Sequence, residues 1–211
     1  MPGFVVLEGV EGSGKSSLAQ SLSKWSEELG QKTVVTREPG ATKIGASIRE
    51  LILSKETKDL DPLAELLLFS ADRAQHIAQL IKPNLEQRNL VISDRFIHST
   101  IAYQGYGRGL DRNTLDQLNK LVISDVYPDL ILLLDIDPEA SLNRVRKRTA
   151  DGSLDRMEDQ EISFHHRVRD GFLELAEQDS KTFVKIDASK SMDEVLEEAK
   201  KAILNRGLVS A

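Results

Sequence analysis

The sequence contains no cysteine among its 211 residues. The chain therefore forms neither a disulfide framework nor a zinc–thiolate site, and it has no thiol nucleophile. A long hydrophobic run is also missing, because the most apolar stretch, Leu130 to Ile136, is far shorter than the roughly 20 residues of a membrane-spanning helix. The amino end lacks the basic start and the small-residue cleavage site of a signal peptide. These absences predict a cytoplasmic protein with no membrane partner.

Acidic residues outnumber basic ones, with 34 Asp+Glu against 28 Lys+Arg and a formal net charge of −6. A surplus of negative charge disfavours long nucleic acid as a partner, since proteins bind it through a positive face. A small phosphorylated ligand is not excluded, because it needs only a few cations at one place. The length suits one domain with a sizeable core. No internal repeat or flexible linker divides the chain, so we expect a single domain over residues 1–211.

Short runs of β-branched and aliphatic residues alternate with longer amphipathic stretches. Several of the short runs are continuously apolar, which is typical of strands that are covered on both faces. They predict strands over residues 4–7, 33–36, 90–92, 130–134 and 183–186. The stretches between them predict helices over residues 15–29, 44–54, 62–88, 111–124, 138–149, 158–178 and 191–206. This alternation indicates an α/β fold with a five-stranded parallel sheet and right-handed crossovers.

A glycine-rich segment with the pattern G-x-x-x-x-G-K-[ST] follows the first predicted strand and leads into a helical stretch. Glycines let backbone N–H groups turn toward a phosphate, and the amino end of the helix adds unpaired donors and a positive dipole end. Lys15 can reach the β- and γ-phosphates, and the Ser16 hydroxyl can face Mg²⁺. The alternative, a chance glycine-rich turn, is disfavoured by the strand–loop–helix context. We therefore expect a nucleotide at Gly9, Val10, Glu11, Gly12, Ser13, Gly14, Lys15, Ser16 and Ser17.

The phosphate-loop pattern does not by itself name a reaction. A GTPase switch needs an Asn-Lys-x-Asp motif that reads guanine, but Asn119-Lys120 is followed by Leu-Val, and the sequence contains no Asp-x-x-Gly. The chain is also too short for a motor or a large remodelling ATPase. A small kinase that transfers a γ-phosphoryl group to a small acceptor is the leading hypothesis. A nucleotide-binding regulatory module without turnover is the alternative from another class.

Phe69 and Arg73 lie four residues apart on the helix that Asp61-Pro62 is expected to start, so they share one face. A phenylalanine that points off the core, one turn from an arginine, suits a platform for a flat base with a hydrogen-bonding partner. The alternative is an aromatic ring packed under a loop beside a solvated charge. We expect the opposite face of the helix to be the core side, because it carries an apolar stripe of Leu63, Leu67, Ala74, Ile77, Ala78 and Ile81.

Asp94 and Arg95 follow the third predicted strand. Ligands of parallel sheets gather at the carboxyl ends of the strands, so we expect this pair at the crevice. Asp94 could hold Mg²⁺ through water, and Arg95 could bind a phosphate with two N–H groups. The alternative is a helix cap beside a salt-bridging arginine.

Basic side chains cluster near the end of the fifth predicted helix, at Arg144, Arg146, Lys147, Arg148 and, beyond a short turn, Arg156. Alone, such a cluster is an ordinary solvated helix end whose cations favour the helix dipole. Beside a phosphate loop, arginines of a closing lid are natural stabilisers of transition-state charge. We therefore expect a short lid over about residues 144–157.

These features together resemble the thymidylate kinase family over essentially the whole chain. The resemblance is carried by residues 8–16, 36–40, 68–73, 94–96, 99–105 and 154–156 with Glu158. It implies a three-layer P-loop nucleoside monophosphate kinase fold with helices on both faces of the sheet. It also implies phosphorylation of dTMP to dTDP with ATP and Mg²⁺ by a homodimer. The nearest alternative is a kinase for another nucleoside monophosphate or for a deoxynucleoside.

The resemblance further implies roles for individual residues. Phe69 stacks on the thymine, and Arg73 and Thr100 read its polar edge. Arg95 binds the acceptor phosphate, and Tyr103 crowds the sugar against a ribose 2′-hydroxyl. The other acceptor-side residues are Glu11, Glu38, Pro39, Arg49, Ser99 and Gln104. On the donor side the resemblance implies Arg144, Ala188 in an adenine-side loop, and Ser16 with Asp94 at the metal.

One position separates two styles within this family. Some members place an arginine in the phosphate loop directly after its acidic residue, whereas this chain has Gly12 there. We therefore expect the cation near the γ-phosphate to come from the lid, as in the bacterial style. The expected catalytic set is Lys15, Arg95, Glu11 and the lid arginines Arg148 and Arg156.

Overall fold

The computed structural model describes residues 3–148 and 153–210, and five parallel strands form one sheet within them. The strands are β1 Gly3–Glu8, β2 Thr33–Arg37, β3 Leu90–Asp94, β4 Leu130–Asp135 and β5 Phe183–Asp187. Their order in the sheet is β2-β3-β1-β4-β5. Each predicted strand is confirmed to within two residues, and the α/β fold with its parallel sheet is confirmed.

The three central strands are buried almost completely. Val5 and Val6 of β1 are both inaccessible although neighbouring side chains of a strand point to opposite faces, so both faces of the sheet are covered. The edge strands β2 and β5 are only partly buried. At the centre of the sheet, Leu7 of β1 pairs with Asp94 of β3 on one side and with Leu132 of β4 on the other. The carboxyl ends of β1 and β3 are therefore side by side.

The described residues also form α-helices and two π-helical segments. The α-helices are α1 Lys15–Glu28, α2 Lys43–Leu53, α3 Pro62–His76, α4 Lys82–Glu86, α5 Ile97–Thr100, α6 Arg112–Ile123, α7 Pro138–Arg148, α8 Ile162–Gln178 and α9 Met192–Asn205. In the ranges 3–148 and 153–210, none of them is both long enough and apolar enough to cross a bilayer.

The single helix predicted over residues 62–88 is interrupted. It begins as expected, with the Asp61 side chain accepting a 2.8 Å hydrogen bond from the backbone N–H of Leu63. A π-helical segment, Ile77–Ile81, then separates α3 from α4, and the N–H of Lys82 bonds to the carbonyl of Ile77 five residues back. Pro83 follows directly. Proline has no N–H and interrupts the regular ladder, which gives a local reason for the change of register.

The helical turns between Ile97 and Gly107 fall outside every predicted helix. Here α5 runs into a second π-helical segment, Ile101–Gly107. Buried Ser99, Thr100 and Gln104 interrupt the apolar pattern of this segment. Helical periodicity is detected through an apolar stripe, so a helix with this polar buried set is missed.

The expected core face of α3 is wrong. Leu63 and Leu67 are 49% and 51% exposed, and Ala74 and Ala78 are exposed as well. Only the last two members of the stripe, Ile77 and Ile81, are buried. The buried side of α3 instead carries mostly polar residues, namely Glu65, Leu66, Ser70, Asp72, Arg73 and His76. The polar side can face inward because it finds buried partners there. Arg73 donates to Glu38 and Thr100, and Glu65 accepts from Gln104 and Arg108.

Candidate functional site

A cleft of about 450 Å³ opens at the carboxyl ends of β1 and β3. It brings together most of the side chains singled out in the sequence: Glu11, Gly12, Gly14, Lys15, Ser16, Ser17, Glu38, Pro39, Arg49, Phe69, Arg73, Asp94, Arg95, Ser99, Thr100, Tyr103, Gln104, Arg144 and Arg148. Gly9, Val10, Ser13, Arg156 and Ala188 do not line it. Arg37, Leu53, Val145, Asp155, Met157 and Glu158 line it as well. None of the six was named as a site residue, although Val145, Asp155 and Met157 belong to the expected lid.

The loop between β1 and α1 needs glycine for its shape. Gly9 and Gly12 have φ angles of +139° and +73°, which side-chain-bearing residues rarely adopt. A Cβ atom at Gly9 would lie 2.5 Å from the carbonyl oxygen of Leu134, and one at Gly12 would lie 2.5 Å from that of Ser141. The loop therefore lies directly against β4 and α7, with the amino end of α1 behind it.

Lys15 is folded back into this loop. Its Nζ atom donates to the carbonyl oxygens of Gly9 and Val10 at 3.1 and 2.8 Å and to Oγ of Ser13 at 3.3 Å. These three residues thus form the cradle of the lysine, which explains why they lie outside the cleft lining. Burial, together with the charge of Arg95, lowers the pKa of Lys15 to about 8.

The side chains of Ser16 and Asp94 meet where the start of α1 lies beside the carboxyl end of β3. The Ser16 hydroxyl, on the first turn of α1, donates a 2.6 Å hydrogen bond to Oδ2 of Asp94 at the end of β3. Both side chains line the cleft. The pair offers oxygen atoms only, which are the ligands that Mg²⁺ prefers.

Arg95 has a left-handed backbone, with φ at +77°. Its NH1 group donates to the carbonyl of Gly9 and to Oγ of Ser99, both at 3.0 Å. Its NH2 group donates to Oε1 of Glu11 at 2.8 Å and to the hydroxyl of Tyr103 at 3.1 Å. A non-glycine residue in this conformation is strained and is held there by its surroundings. These four bonds point the guanidinium at the phosphate loop.

Glu11 is an acidic residue within the phosphate loop, and its negative charge is balanced by nearby cations. Burial opposes ionisation of its carboxyl group, but the charges of Arg95 and Lys15 outweigh burial and hold the pKa of Glu11 below its usual value. Tyr103 donates a 2.5 Å hydrogen bond to Oε2 of the same carboxylate. The backbone carbonyl of Glu11 also accepts a hydrogen bond from the Ser141 hydroxyl.

Glu8, the last residue of β1, is a site residue for which no role was predicted. It is inaccessible to solvent. Its Oε1 atom accepts from the backbone N–H groups of Phe96 and Ser99 at 3.0 and 3.1 Å, and its Oε2 accepts from the Ser99 hydroxyl at 2.6 Å. Burial raises the pKa of Glu8 to about 7. This carboxyl group caps α5 and fixes the Ser99 hydroxyl that Arg95 contacts.

Arg73 forms the far wall of the cleft with Phe69. Its guanidinium is buried and donates to Oε2 of Glu38 at 2.7 Å, to Oγ1 of Thr100 at 2.8 Å and to the carbonyl of Phe96 at 3.1 Å. The arginine is therefore fixed in place rather than solvated. Phe69 is only partly buried and lines the cleft beside it.

A second row of buried groups continues behind Arg73. His76, one turn further along α3, lies 2.9 Å from Oε1 of Glu38 through Nδ1 and 2.7 Å from Oγ1 of Thr36 through Nε2. His76 was not predicted to belong to the site. Its spacing of three residues from Arg73 was the available signal, since residues i and i+3 share a helix face.

Arg144 and Arg148 line the donor side of the cleft from α7. The NH1 group of Arg144 donates to the carbonyl of Ala188 at 3.0 Å, which connects α7 to the loop after β5. Arg148 is largely exposed, and its NH2 group lies 2.9 Å from Oε1 of Glu158. Part of the expected lid, residues 149–152, lies outside the described residues.

Arg156 does not occupy its expected place at the phosphates. It is buried, with Nε donating to the carbonyl of Ile52 at 2.7 Å and NH2 lying 2.7 Å from Oε2 of Glu65. A buried carboxylate 91 residues away in the sequence, Glu65, is the physical reason, because it holds the guanidinium behind the cleft wall. Sequence spacing alone does not reveal such a long-range partner.

Comparison with known proteins gives one consistent result. The family model described as thymidylate kinase matches residues 7–199. The chain is 45% identical over 193 residues to the thymidylate kinase of Nostoc sp. (strain PCC 7120), covering 91% of this chain and 90% of that protein. It is 46% identical over 192 residues to the thymidylate kinase of Halothermothrix orenii, covering 91% of each. Its structure is similar to the crystal structure of thymidylate kinase from Ehrlichia chaffeensis, with a TM-score of 0.78, 37% identity, and coverage of 96% of this chain and 100% of that chain.

Proposed function

The chain belongs to the thymidylate kinase family, and we propose that it transfers the γ-phosphoryl group of ATP to the phosphate of dTMP, which yields ADP and dTDP. The protein is a phosphotransferase. The observation that carries the proposal is a single cleft with a phosphate loop on one side and Arg95, Phe69 and Arg73 on the other. A donor and an acceptor that enter from these two sides meet at the carboxyl ends of β1 and β3.

The donor phosphates are assigned to the loop between β1 and α1. Backbone N–H groups at the amino end of α1 and the Lys15 ammonium are the donors that a triphosphate would find there. Lys15 bonds to the carbonyls of Gly9 and Val10, so its charge is held within the loop that would take the phosphates. Arg144 and Ala188, joined by a hydrogen bond, are assigned to the adenine side.

Ser16 and Asp94 fit a Mg²⁺ ion that travels with ATP. No cluster of three or more His, Asp or Glu side chains in residues 3–148 and 153–210 is placed to hold a metal. Mg²⁺ at phosphates is usually bound by one or two protein oxygens together with water and the phosphates themselves, and the hydrogen-bonded hydroxyl–carboxylate pair offers such oxygens. The ion would neutralise charge that develops on the phosphate oxygens.

The acceptor phosphate is assigned to Arg95. A phosphate oxygen of dTMP attacks the γ-phosphorus, a new P–O bond forms, and the bond from that phosphorus to the β–γ bridging oxygen breaks. The attacking oxygen is already anionic, so no strong general base is needed. Lys15, Arg95 and the lid arginine Arg148 act by alignment and by stabilising charge. Glu11 is assigned to the sugar, beside Tyr103.

The base is assigned to the wall formed by Phe69 and Arg73. Phe69 offers a ring for stacking, and Arg73, held by Glu38 and Thr100, offers a guanidinium in a fixed position. The other members of this wall are Pro39, Arg49, Ser99, Tyr103 and Gln104. Arg49 donates a 2.9 Å hydrogen bond to the carbonyl of Pro39, which ties α2 to the loop after β2.

We further propose that the chain works as a homodimer. Large apolar side chains are exposed on three neighbouring helices, namely Ile44 and Leu51 on α2, Leu63 and Leu67 on α3, and Leu121 on α6. Several large apolar side chains exposed on neighbouring helices support an interaction site there. A cytoplasmic location and a single domain with a lid at about residues 144–157 complete the proposal, and the cysteine-free composition fits a reducing compartment.

A coupled assay of ADP formation tests the function. With Mg²⁺ and ATP, the acceptors dTMP, dUMP, dGMP, UMP, CMP and thymidine are compared at equal concentration, and each is repeated with EDTA. We expect dTMP to have the highest kcat/KM and EDTA to abolish turnover. Preference for another acceptor would contradict the assignment of the base site. ATP binding without ADP formation on any acceptor would instead favour a regulatory module.

A further inference from the structure

Glu65, on the inward side of α3, is a buried carboxylate behind the wall of the cleft. Its Oε1 atom accepts hydrogen bonds from Nε2 of Gln104 at 2.9 Å and from Nε of Arg108 at 3.2 Å. Its Oε2 atom accepts from NH2 of Arg108 at 3.1 Å and lies 2.7 Å from NH2 of Arg156. Both oxygens are therefore surrounded by donors.

These donors keep Glu65 ionised. Burial alone would raise the pKa of its carboxyl group, but hydrogen bonds from Arg108 and Gln104 outweigh burial and bring the pKa below its usual value. An ionised carboxylate accepts hydrogen bonds and donates none. Gln104 therefore meets Glu65 with its NH₂ group and not with its carbonyl oxygen.

Gln104 connects Glu65 to the cleft. Its side chain is 1% exposed, and it lines the cleft together with Phe69, Arg73 and Thr100. Because the NH₂ group is turned to Glu65, the amide oxygen is the atom that remains for a bound base. Arg73 contributes the opposite kind of group, since a guanidinium has five N–H donors and no acceptor.

We propose that Glu65 is a positioning residue that sets base specificity, because it makes Gln104 present a hydrogen-bond acceptor, and not a donor, to the bound pyrimidine. This inference rests on the proposed function. A base that fits this site has a hydrogen-bond donor opposite Gln104 and an acceptor opposite Arg73. Its edge carries a donor at N3 and an acceptor at the 4-position, as thymine and uracil do.

Cytosine has the reverse edge. Its N3 is an acceptor and would face the amide oxygen of Gln104. Its 4-amino group is a donor and would face the N–H groups of Arg73. A buried polar group left without a partner disfavours binding strongly, and sites that recognise a substrate by hydrogen bonds reject mismatched analogues by large factors. Phe69 does not provide this discrimination, because stacking tolerates either ring.

The test compares dTMP with 5-methyl-dCMP, which carries the same methyl group and sugar and differs only at the polar edge. We expect the wild-type ratio of kcat/KM for the two nucleotides to be about 1,000 or more. In Glu65→Gln the amide of Gln104 can turn over, and we expect this ratio to fall at least about tenfold. Glu177→Gln, the same change at an exposed position on α8, is the matched control and should leave the ratio unchanged.

A purely structural brace would behave differently. If Glu65→Gln lowers kcat/KM for both nucleotides by the same factor, the ratio stays constant and the inference is wrong. Gln104→Leu removes the acceptor and should lower the ratio on its own, and Glu65→Gln added to it should then change the ratio no further. A further fall in that double variant would also overturn the inference.

Two additional controls keep the result interpretable. If Glu65→Gln does not fold, Glu65→Asp keeps the negative charge between Arg108 and Arg156 but withdraws the oxygen from Gln104, and the same fall in the ratio is required of it. Failure of the proposed function looks different from failure of this inference. A wild-type protein that does not phosphorylate dTMP refutes the former, whereas normal dTMP turnover with an unchanged ratio in the variants refutes the latter.

Discussion

The guanidinium of Arg95 lies 2.8 Å from the carboxylate of Glu11, and the Tyr103 hydroxyl contacts both groups, at 3.1 Å and 2.5 Å. An acidic residue in a phosphate loop should repel a triphosphate. This pairing removes most of that repulsion, because the negative charge is matched inside the site. Under the proposed function, an acceptor phosphate on Arg95 would share the guanidinium with Glu11, and this one ion pair would connect the phosphate loop to the acceptor site.

Tyr103 provides the first prediction, which concerns the sugar. Tyr103→Phe keeps the ring but removes the hydrogen bond to Glu11, and we expect kcat/KM for dTMP to fall about tenfold with no change in sugar preference. Tyr103→Leu removes the ring, and we expect the preference for dTMP over ribothymidine monophosphate to fall as well. The readout is the ratio of kcat/KM for the two nucleotides. An unchanged ratio in the Leu variant would show that Tyr103 does not face the 2′ position.

Lys15 leads to a prediction about pH. Its pKa is lowered to about 8, chiefly by burial, so the free protein carries this charge below pH 8 and loses it above. Triphosphate binding needs the charge, and we expect the Kd of ATP to be about tenfold higher at pH 9 than at pH 7. Calorimetric titration measures it. Lys15→Arg, whose charge does not titrate here, should show no such rise, and an equal rise in both proteins contradicts the prediction.

Lys15→Met tests the same residue for catalysis. We expect turnover to disappear while the circular dichroism spectrum and the unfolding midpoint stay near those of the wild type. Near-full activity in this folded variant would refute the role given to Lys15 in phosphoryl transfer.

The residues at the strand ends could be predicted from sequence because their signals are local. The phosphate loop needs glycine at fixed positions, and Asp94 and Arg95 follow an apolar run that is recognisably a buried strand. The same reasoning located Phe69 and Arg73, since i and i+4 share a helix face. The strand-end residues meet in one cleft because parallel strands all end on the same edge of the sheet, and α3 brings Phe69 and Arg73 to the same cleft.

Other features depend on partners that sequence spacing does not reveal. The apolar stripe of α3 was expected in the core, yet Leu63 and Leu67 are exposed, because periodicity shows which side is apolar but not what covers it. Arg156 was expected at the phosphates, yet Glu65 on α3 binds it. Glu8 has its role through three hydrogen bonds to residues around the start of α5, about 90 positions away in the sequence.

Arg148 and Arg156 should therefore differ in what they affect. Arg148 is largely exposed at the cleft, and we expect Arg148→Met to lower kcat about 100-fold or more with little effect on stability. Arg156→Met breaks a buried ion pair and should lower the free energy of unfolding by about 3 kcal/mol. Steady-state kinetics and urea unfolding separate the two effects. A stable but inactive Arg156→Met variant would restore the original expectation for Arg156, and a fully active Arg148→Met variant would refute the role given to Arg148.

The exposed apolar residues of α2, α3 and α6 predict a dimer in solution. Leu67→Glu places a charge on this surface, and we expect light scattering to show a shift from about twice the chain mass to the chain mass. Ile162→Glu, an equally drastic change at a 40% exposed residue at the start of α8, should leave the dimer intact. A monomeric wild-type protein at micromolar concentration would refute the dimer outright.

Glu8 should make the stability of the protein fall as pH rises. Burial raises the pKa of its carboxyl group from 4.5 to about 7, so between these values the folded protein holds a proton that the unfolded chain has released. The stabilisation is fully present below pH 4.5 and is lost as pH rises through 7, for a total of about 3 kcal/mol. Glu8→Gln has no such proton, while its amide oxygen can still accept from the N–H groups of Phe96 and Ser99.

Urea unfolding of both proteins at pH 4.5, 6 and 8 isolates this effect, because the other titrating groups are common to both. The quantity to follow is the free energy of unfolding of the wild type minus that of Glu8→Gln. We expect this difference to fall by about 3 kcal/mol from pH 4.5 to pH 8. Arg95 also lowers the pKa of Glu8, and less strongly than burial raises it. Parallel pH profiles for the two proteins would mean that Arg95 and the Ser99 hydroxyl compensate burial fully, and that Glu8 stays ionised while it caps α5.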